Sequence, residues 1–270
     1  MKTSRFPLIA SAFLMAMWLA GCSGKSPGTF QGYIEGEYVY IAPPLGGALA
    51  RLAVSRGDTV KPGQMLFELE RESEAAALEQ AEKNLVQAKA SQELADSMYQ
   101  RRKELRESPS ATVSAEELDK ARADRDTAVA QVASQSAALD RARWSFDQKQ
   151  QAAPTNAFVQ DTLYRPGEWV APGNPVIALL PPENLKVRFF VPQEMLPRIK
   201  TGATASVMFD GGVKAYSATV NYISAQAEFT PPVIYNRENR SKLVYMIEAK
   251  FSATDASDLR PGQPVDVKLP

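Results

Sequence analysis

Arg56-Gly57-Asp58-Thr59-Val60-Lys61-Pro62-Gly63-Gln64 and Pro166-Gly167-Glu168-Trp169-Val170-Ala171-Pro172-Gly173-Asn174 are two copies of one pattern, Gly-acid-x-Val-x-Pro-Gly-amide. Alternating strand-like residues precede each copy: Leu49, Leu52 and Val54 before the first, Phe158, Val159 and Leu163 before the second. A short apolar strand follows each, Met65 to Leu69 and Pro175 to Leu180. Each unit therefore reads strand, turn, strand. Gly57 and Gly167 suit turn positions with positive φ, Pro-Gly makes a second tight turn, and Val60 and Val170 point inward. One such unit cannot bury its apolar face alone. Two together can, as a small flattened β-sandwich.

The repeat resembles the two halves of a biotinyl/lipoyl domain, which raises the reading of a swinging-arm carrier. Carriers place a modified lysine at a hairpin tip, and the matching stretch here is Glu68-Leu69-Glu70-Arg71-Glu72-Ser73-Glu74. Ser73 stands in the lysine's place, and a hydroxyl cannot form the amide to lipoate or biotin. The halves are also separated by a long insert, whereas a carrier's are contiguous. No cofactor is expected.

That insert, residues 73–151, has no glycine, and its only proline is Pro109. Good helix formers fill it. Leu78, Leu85, Gln92 and Tyr99 recur every seventh residue, with Ala81, Ala88 and Ala95 between them. Leu118, Arg125, Val132, Leu139 and Phe146 repeat the pattern with Ala121, Ala128, Gln135 and Ala142. These are a and d positions of heptads, the seam of a left-handed supercoil. Pro109 stops the first helix, and Ser114 with Glu117 reads as a capping box starting the second. The expectation is an antiparallel hairpin with arms of ~50 Å. Heptads alone would equally specify simple dimerisation.

The N-terminus is a targeting segment. Lys2 and Arg5 precede an apolar run from Leu8 to Ala20, too short to cross a hydrocarbon core of ~30 Å. The run ends Leu19-Ala20-Gly21-Cys22, which resembles the bacterial lipobox; Cys22 is the chain's single cysteine and the expected site of lipidation. Several acyl chains there would anchor the protein firmly. Ser26-Pro27-Gly28 reads as a flexible spacer.

Composition excludes most catalysis. There is no histidine, so the commonest general base and metal ligand are both missing, and one cysteine makes neither a disulfide nor a Cys/His metal site. Walker-type glycine loops and Gly-x-Ser-x-Gly do not occur. Lys+Arg and Asp+Glu both number 31, so no electrostatic hold on nucleic acid is expected. The chain reads as a non-enzyme with no metal and no catalytic residues. Tyr33, Tyr38 and Tyr40 alternate along an expected strand, which favours sheet packing over a ligand site.

Split lipoyl halves around a helical hairpin, behind a signal sequence, resemble the HlyD-type periplasmic adaptors, or membrane fusion proteins. Beyond Pro182, Leu185 to Pro192, Gly202 to Val207, Ala218 to Ile223, Leu243 to Phe251 and Pro261 to Val267 are short strands bounded by Gly and Pro, similar to the adaptor β-barrel. The fold expected is mainly β with a long antiparallel coiled-coil hairpin. The parts are a signal peptide (1–21), a lipid-anchored linker (22–30), a split lipoyl-like β-sandwich (31–72 and 152–181), the hairpin (73–151) and a β-barrel (182–270).

The resemblance implies a periplasmic, lipid-anchored subunit that joins an inner-membrane transporter to an outer-membrane channel. It also implies self-assembly into a closed ring, a hexamer in the pump. Ala227 to Pro232 and the Arg240 to Tyr245 stretch resemble adaptors of ABC-type exporters. Inner-membrane anchoring is expected from the family, although Ser23 lacks the aspartate that favours it in enteric bacteria. Some relatives carry an Arg, Leu and Ser at the hairpin tip that meet the channel's helices; the matching residues are Arg101, Leu105 and Ser114. About two extra residues and a proline between Leu105 and Ser114 depart from that pattern. Each has a plain reading too: Arg101 on a solvated face, Leu105 in the seam, Ser114 as an N-cap. The competing function is a pump-independent lipoprotein that binds a ligand or cell-wall component.

Overall fold

A computed structural model describes residues 28–109, 112–209, 214–229, 243–256 and 258–269. Cys22 and the signal segment lie outside them, as do residues 230–232 and 240–242. Contacts divide the chain into two units, 37–182 and the described parts of 1–36 with 183–270.

The first unit is the split sandwich with its hairpin. Strands β2 (Val39–Ile41), β9 (Ile177–Leu180), β7 (Ala157–Thr162) and β4 (Thr59–Val60) form one sheet. The other contains β6 (Gln150–Ala152), β5 (Met65–Leu69), β3 (Gly47–Leu52) and β8 (Trp169–Val170). The repeated motif explains this pairing. Gly57 N donates to Val159 O at 3.0 Å and Gly167 N donates to Leu49 O at 2.8 Å, so each copy's turn caps the other copy's strand. The return bonds are Val159 N to Asp58 O and Leu49 N to Glu168 O, both 2.8 Å. The motif's acid closes its own turn: Asp58 accepts from Ser55 N and Glu168 from Arg165 N, each at 2.8 Å. Gly57 and Gly167 sit at φ of 100° and 91°, where a Cβ would be strained. Val60 and Val170 are fully buried, in a core with Leu49, Leu66, Phe67, Leu69, Val159, Ile177 and Leu179.

Two helices leave this sandwich, α1 (Glu72–Glu107) and α2 (Ala115–Asp147). Ser73 lies within the first turn of α1, not at a hairpin tip between strands. At the foot, Lys149 is 5% exposed. Its ammonium donates to Gly46 O at 2.7 Å and pairs with Glu74 at 2.9 Å, tying the end of one arm to the start of the other and to the sandwich. The Arg71 guanidinium lies over the Phe146 ring, 4.4 Å from its centroid.

The second unit is a closed barrel in the order β1-β10-β13-β12-β11-β14. Its strands are β1 (Thr29–Gly36), β10 (Leu185–Pro192), β11 (Thr204–Phe209), β12 (Ala215–Phe229), β13 (Leu243–Phe251) and β14 (Pro264–Lys268). Here the sequence reading is corrected. The sequence pattern places 31–36 in the sandwich and 29–30 in the linker, yet β1 closes the barrel between β10 and β14, pairing Gly32 with both Phe189 and Val265. The reason is the apolar alternation of Phe30 and Ile34, both buried with Val187, Phe189, Val207, Ile247 and Val267. A Cβ on Gly32 would lie 2.5 Å from Arg188 O and 2.8 Å from Phe189 Cβ, so glycine is what lets β1 seat there. Tyr33 and Tyr40 consequently fall on strands of different units, with Tyr38 in the link between them.

Beside this core a charged cluster spans three strands. Glu248 accepts from Lys186 and Arg188, each at 2.9 Å, and Arg188 also pairs with Glu35 at 2.8 Å. Burial works to raise the Glu248 carboxyl, but the bonds from Lys186 and Arg188 outweigh it and hold the group below its ordinary value.

Candidate functional site: the hairpin tip

The seam follows the heptads. Ala81, Ala88 and Ala121 are buried, while Leu78, Leu85, Tyr99, Leu118, Val132, Leu139 and Phe146 are half-buried around them. Small residues at the d positions bring the helix backbones close. A polar point interrupts the seam: Arg125 stacks over the Tyr99 ring at 4.9 Å and pairs with Asp96 at 3.8 Å.

At the tip, Ser108 is extended, with ψ of 153°, as the residue before a proline must be, and α1 ends there. Its hydroxyl donates to Leu105 O at 2.8 Å. Arg106 reaches across to donate to Val113 O at 3.4 Å. Ser114 forms the full capping box: its hydroxyl oxygen accepts from Glu117 N at 3.2 Å, and Glu117 accepts from Ser114 N at 2.8 Å. The backbone N–H and the hydroxyl of Ser114 together hold the Glu117 carboxyl below its ordinary value.

The three residues singled out from sequence have different surroundings. Arg101 and Leu105 lie one turn apart on the same face of α1 and are exposed, Leu105 by 44%. Leu105 is outside the seam, whose a and d positions at this height are Arg102 and Arg106. Ser114 is spent on capping.

Sequence reading missed Leu94 and Met98. Together with Leu105 they are exposed apolar residues on one flank of the seam, 58%, 46% and 44% accessible. The cavity under Leu94 and Met98, about 150 Å³, is also lined by Ala95, Arg102, Ala121 and Asp124. Further toward the foot the same flank turns polar, with Asn84, Gln87, Ser91, Gln131 and Gln135 around a shallow groove. The signal was present in the sequence: the spacings 94, 98 and 105 obey helical periodicity but are out of phase with the a and d positions. The arrangement can offer an apolar strip, bordered by Arg101 and Arg102, to another helix.

Comparison with known proteins agrees with this architecture. Residues 77–149 match the family model described as the RND MFP alpha-helical hairpin domain. The UPF0194 membrane protein YbhG of Salmonella gallinarum is 29% identical, over 89% of this chain and 88% of that protein. The membrane fusion protein Spr0693 of Streptococcus pneumoniae R6 superposes with a TM-score of 0.65 at 20% identity, covering 90% of this chain and 98% of that one. MacA from Actinobacillus actinomycetemcomitans gives 0.62 at 18% identity, covering 91% and 81%. At those identities the structural likeness is one of fold.

Proposed function

We propose that this chain, whose fold is like that of membrane fusion proteins and whose residues 77–149 match their hairpin domain, serves as the adaptor of a tripartite export system. It bridges an inner-membrane transporter and an outer-membrane channel. The observation that carries the proposal is the exposed apolar strip on the hairpin flank near the tip, which a purely self-contained coiled coil has no need of. Contact with the channel runs through Leu105 and Arg101, with Ser114 shaping the turn beside them. The transporter is of the ABC type, on the likeness of 227–232 and 240–245 to adaptors of such exporters. Copies of the chain close into a ring, a hexamer in the assembled pump, as cyclic symmetry requires of a sleeve around an export path. Crosslinking in cells, followed by identification of the captured membrane proteins, tests the assignment. Recovery of an ABC-type permease together with an outer-membrane channel is the expected result; capture of neither would overturn it.

The adaptor is held in the periplasm by acylation of Cys22, with the inner membrane as its anchor. Cys22→Ala is expected to abolish incorporation of radioactive palmitate and to leave unprocessed precursor, since no other side chain in the sequence can accept the thioether. A labelled Cys22→Ala protein would sink the anchor.

A further inference from the structure

The barrel has two ends of different character. At one, β1 finishes at Gly36 and β10 starts at Leu185, so the chain passes there to and from the other unit. At the opposite end β1 begins, Thr29 pairs with Lys268 of β14, and a 3-10 turn (Gln193–Arg198) follows β10. This second end encloses a cavity of about 210 Å³. Gly28, Phe30, Met195, Ile199 and Leu269 give it apolar walls, and Arg198 is the one charged group among its lining residues. Arg198 is exposed and has no ion-pair partner among the described residues, although Glu194 shares its turn. Lys200 and Lys268 lie exposed at the same end. A guanidinium with no ion-pair partner among the described residues, lining a hollow whose other side chains are apolar, matches an anionic amphiphile: a phosphate for the fork and carbon chain for the walls.

Chain length says which amphiphile is at hand. Gly28 is a wall of the cavity, and only residues 23–27 separate it from Cys22. At no more than ~3.5 Å per residue, the acylated cysteine keeps this end of the barrel within roughly 20 Å of the bilayer surface. Basic side chains at that distance are drawn to anionic headgroups.

We propose that this cavity holds an anionic phospholipid of the anchoring membrane, with Arg198 on the headgroup phosphate and Phe30, Met195 and Ile199 against the first carbons of an acyl chain. The contact turns a flexible tether into a defined seat, with this end of the barrel toward the bilayer. The nearness of the membrane rests on the acyl anchor proposed above, whereas the chemistry of the cavity does not, so the two are tested apart.

The full chain carrying Cys22→Ala is titrated with dihexanoyl-phosphatidylglycerol below its micelle threshold, following the methyl resonances of Met195 and Ala203. Saturable binding is expected, weakened at least tenfold by Arg198→Glu and within threefold of the parent in Arg198→Lys. Arg198 is exposed, so the melting temperature should not move; if Arg198→Glu melts early, Arg198→Gln makes the same comparison. Inorganic phosphate should bind at least tenfold more weakly than the lipid, because it leaves the walls uncovered. Binding unchanged by loss of the guanidinium, no saturation with the lipid, or equal affinity for inorganic phosphate would each overturn the proposal. Failure of palmitate labelling would remove the anchor and leave this outcome standing.

Discussion

Leu105→Asp is expected to leave the hairpin folded and to break its capture of an outer-membrane channel. Leu105 is outside the seam and 44% exposed, so the folded chain loses little when the side chain changes. At a docked interface the same leucine would be covered, and a carboxylate there would lack a partner. A buried apolar anchor is worth roughly 2 kcal/mol or more, a loss of about thirtyfold or greater in affinity. The control is Ala121→Asp, in the seam beside Met98 and Arg102. Ala121 is only 2% exposed, at a close approach of the helices, so a larger and charged group must spread the seam. Circular dichroism should show Leu105→Asp melting with the parent and Ala121→Asp well below it. Crosslinking in cells should recover the channel with the parent and not with Leu105→Asp. Undiminished capture by Leu105→Asp combined with Arg101→Asp would mean that the channel is met elsewhere.

The largest stability effect is expected at the foot of the hairpin. Lys149→Ala removes an ammonium that is 5% exposed and leaves both the Gly46 carbonyl and the Glu74 carboxylate without their donor. Breaking a buried pair from one side costs about 3–5 kcal/mol. Glu74 is 23% exposed, so water recovers part of that, and about 3 kcal/mol is the expected loss. For a unit of this size the midpoint should fall by roughly 6–12 °C. Lys149→Met with Glu74→Gln should regain more than half of the loss, because the stem's apolar packing returns and no charge is stranded. A double variant as unstable as Lys149→Ala would show that the ammonium's own bonds to Gly46 and Glu74, not the stem's packing, hold the foot. Gly47 bears on the same point: a Cβ there would approach the Lys149 ammonium to 3.2 Å, so the strand and the lysine are fitted to each other.

The sandwich turns, the hairpin and its cap are legible along the chain, because each depends on chemistry within a few residues. Gly57 and Gly167 supply a backbone angle, Asp58 and Glu168 accept from an N–H three residues back, and Ser114 and Glu117 complete one another across one turn. The heptads likewise state which side of each helix faces inward, and the burial of Ala81, Ala88 and Ala121 follows. The place of β1 emerges only from the folded barrel. Its alternation of apolar residues specifies a half-buried strand and nothing about which sheet receives it, since a strand's partners can lie anywhere in the chain. Gly32 meets Phe189 and Val265, far along the chain, and the sequence carries no local mark of either contact. Lys149 is the same case for a side chain. A lysine just after a helix reads as solvated, and it becomes a buried anchor only because Gly46 and Glu74 are brought beside it by the closing of the sandwich.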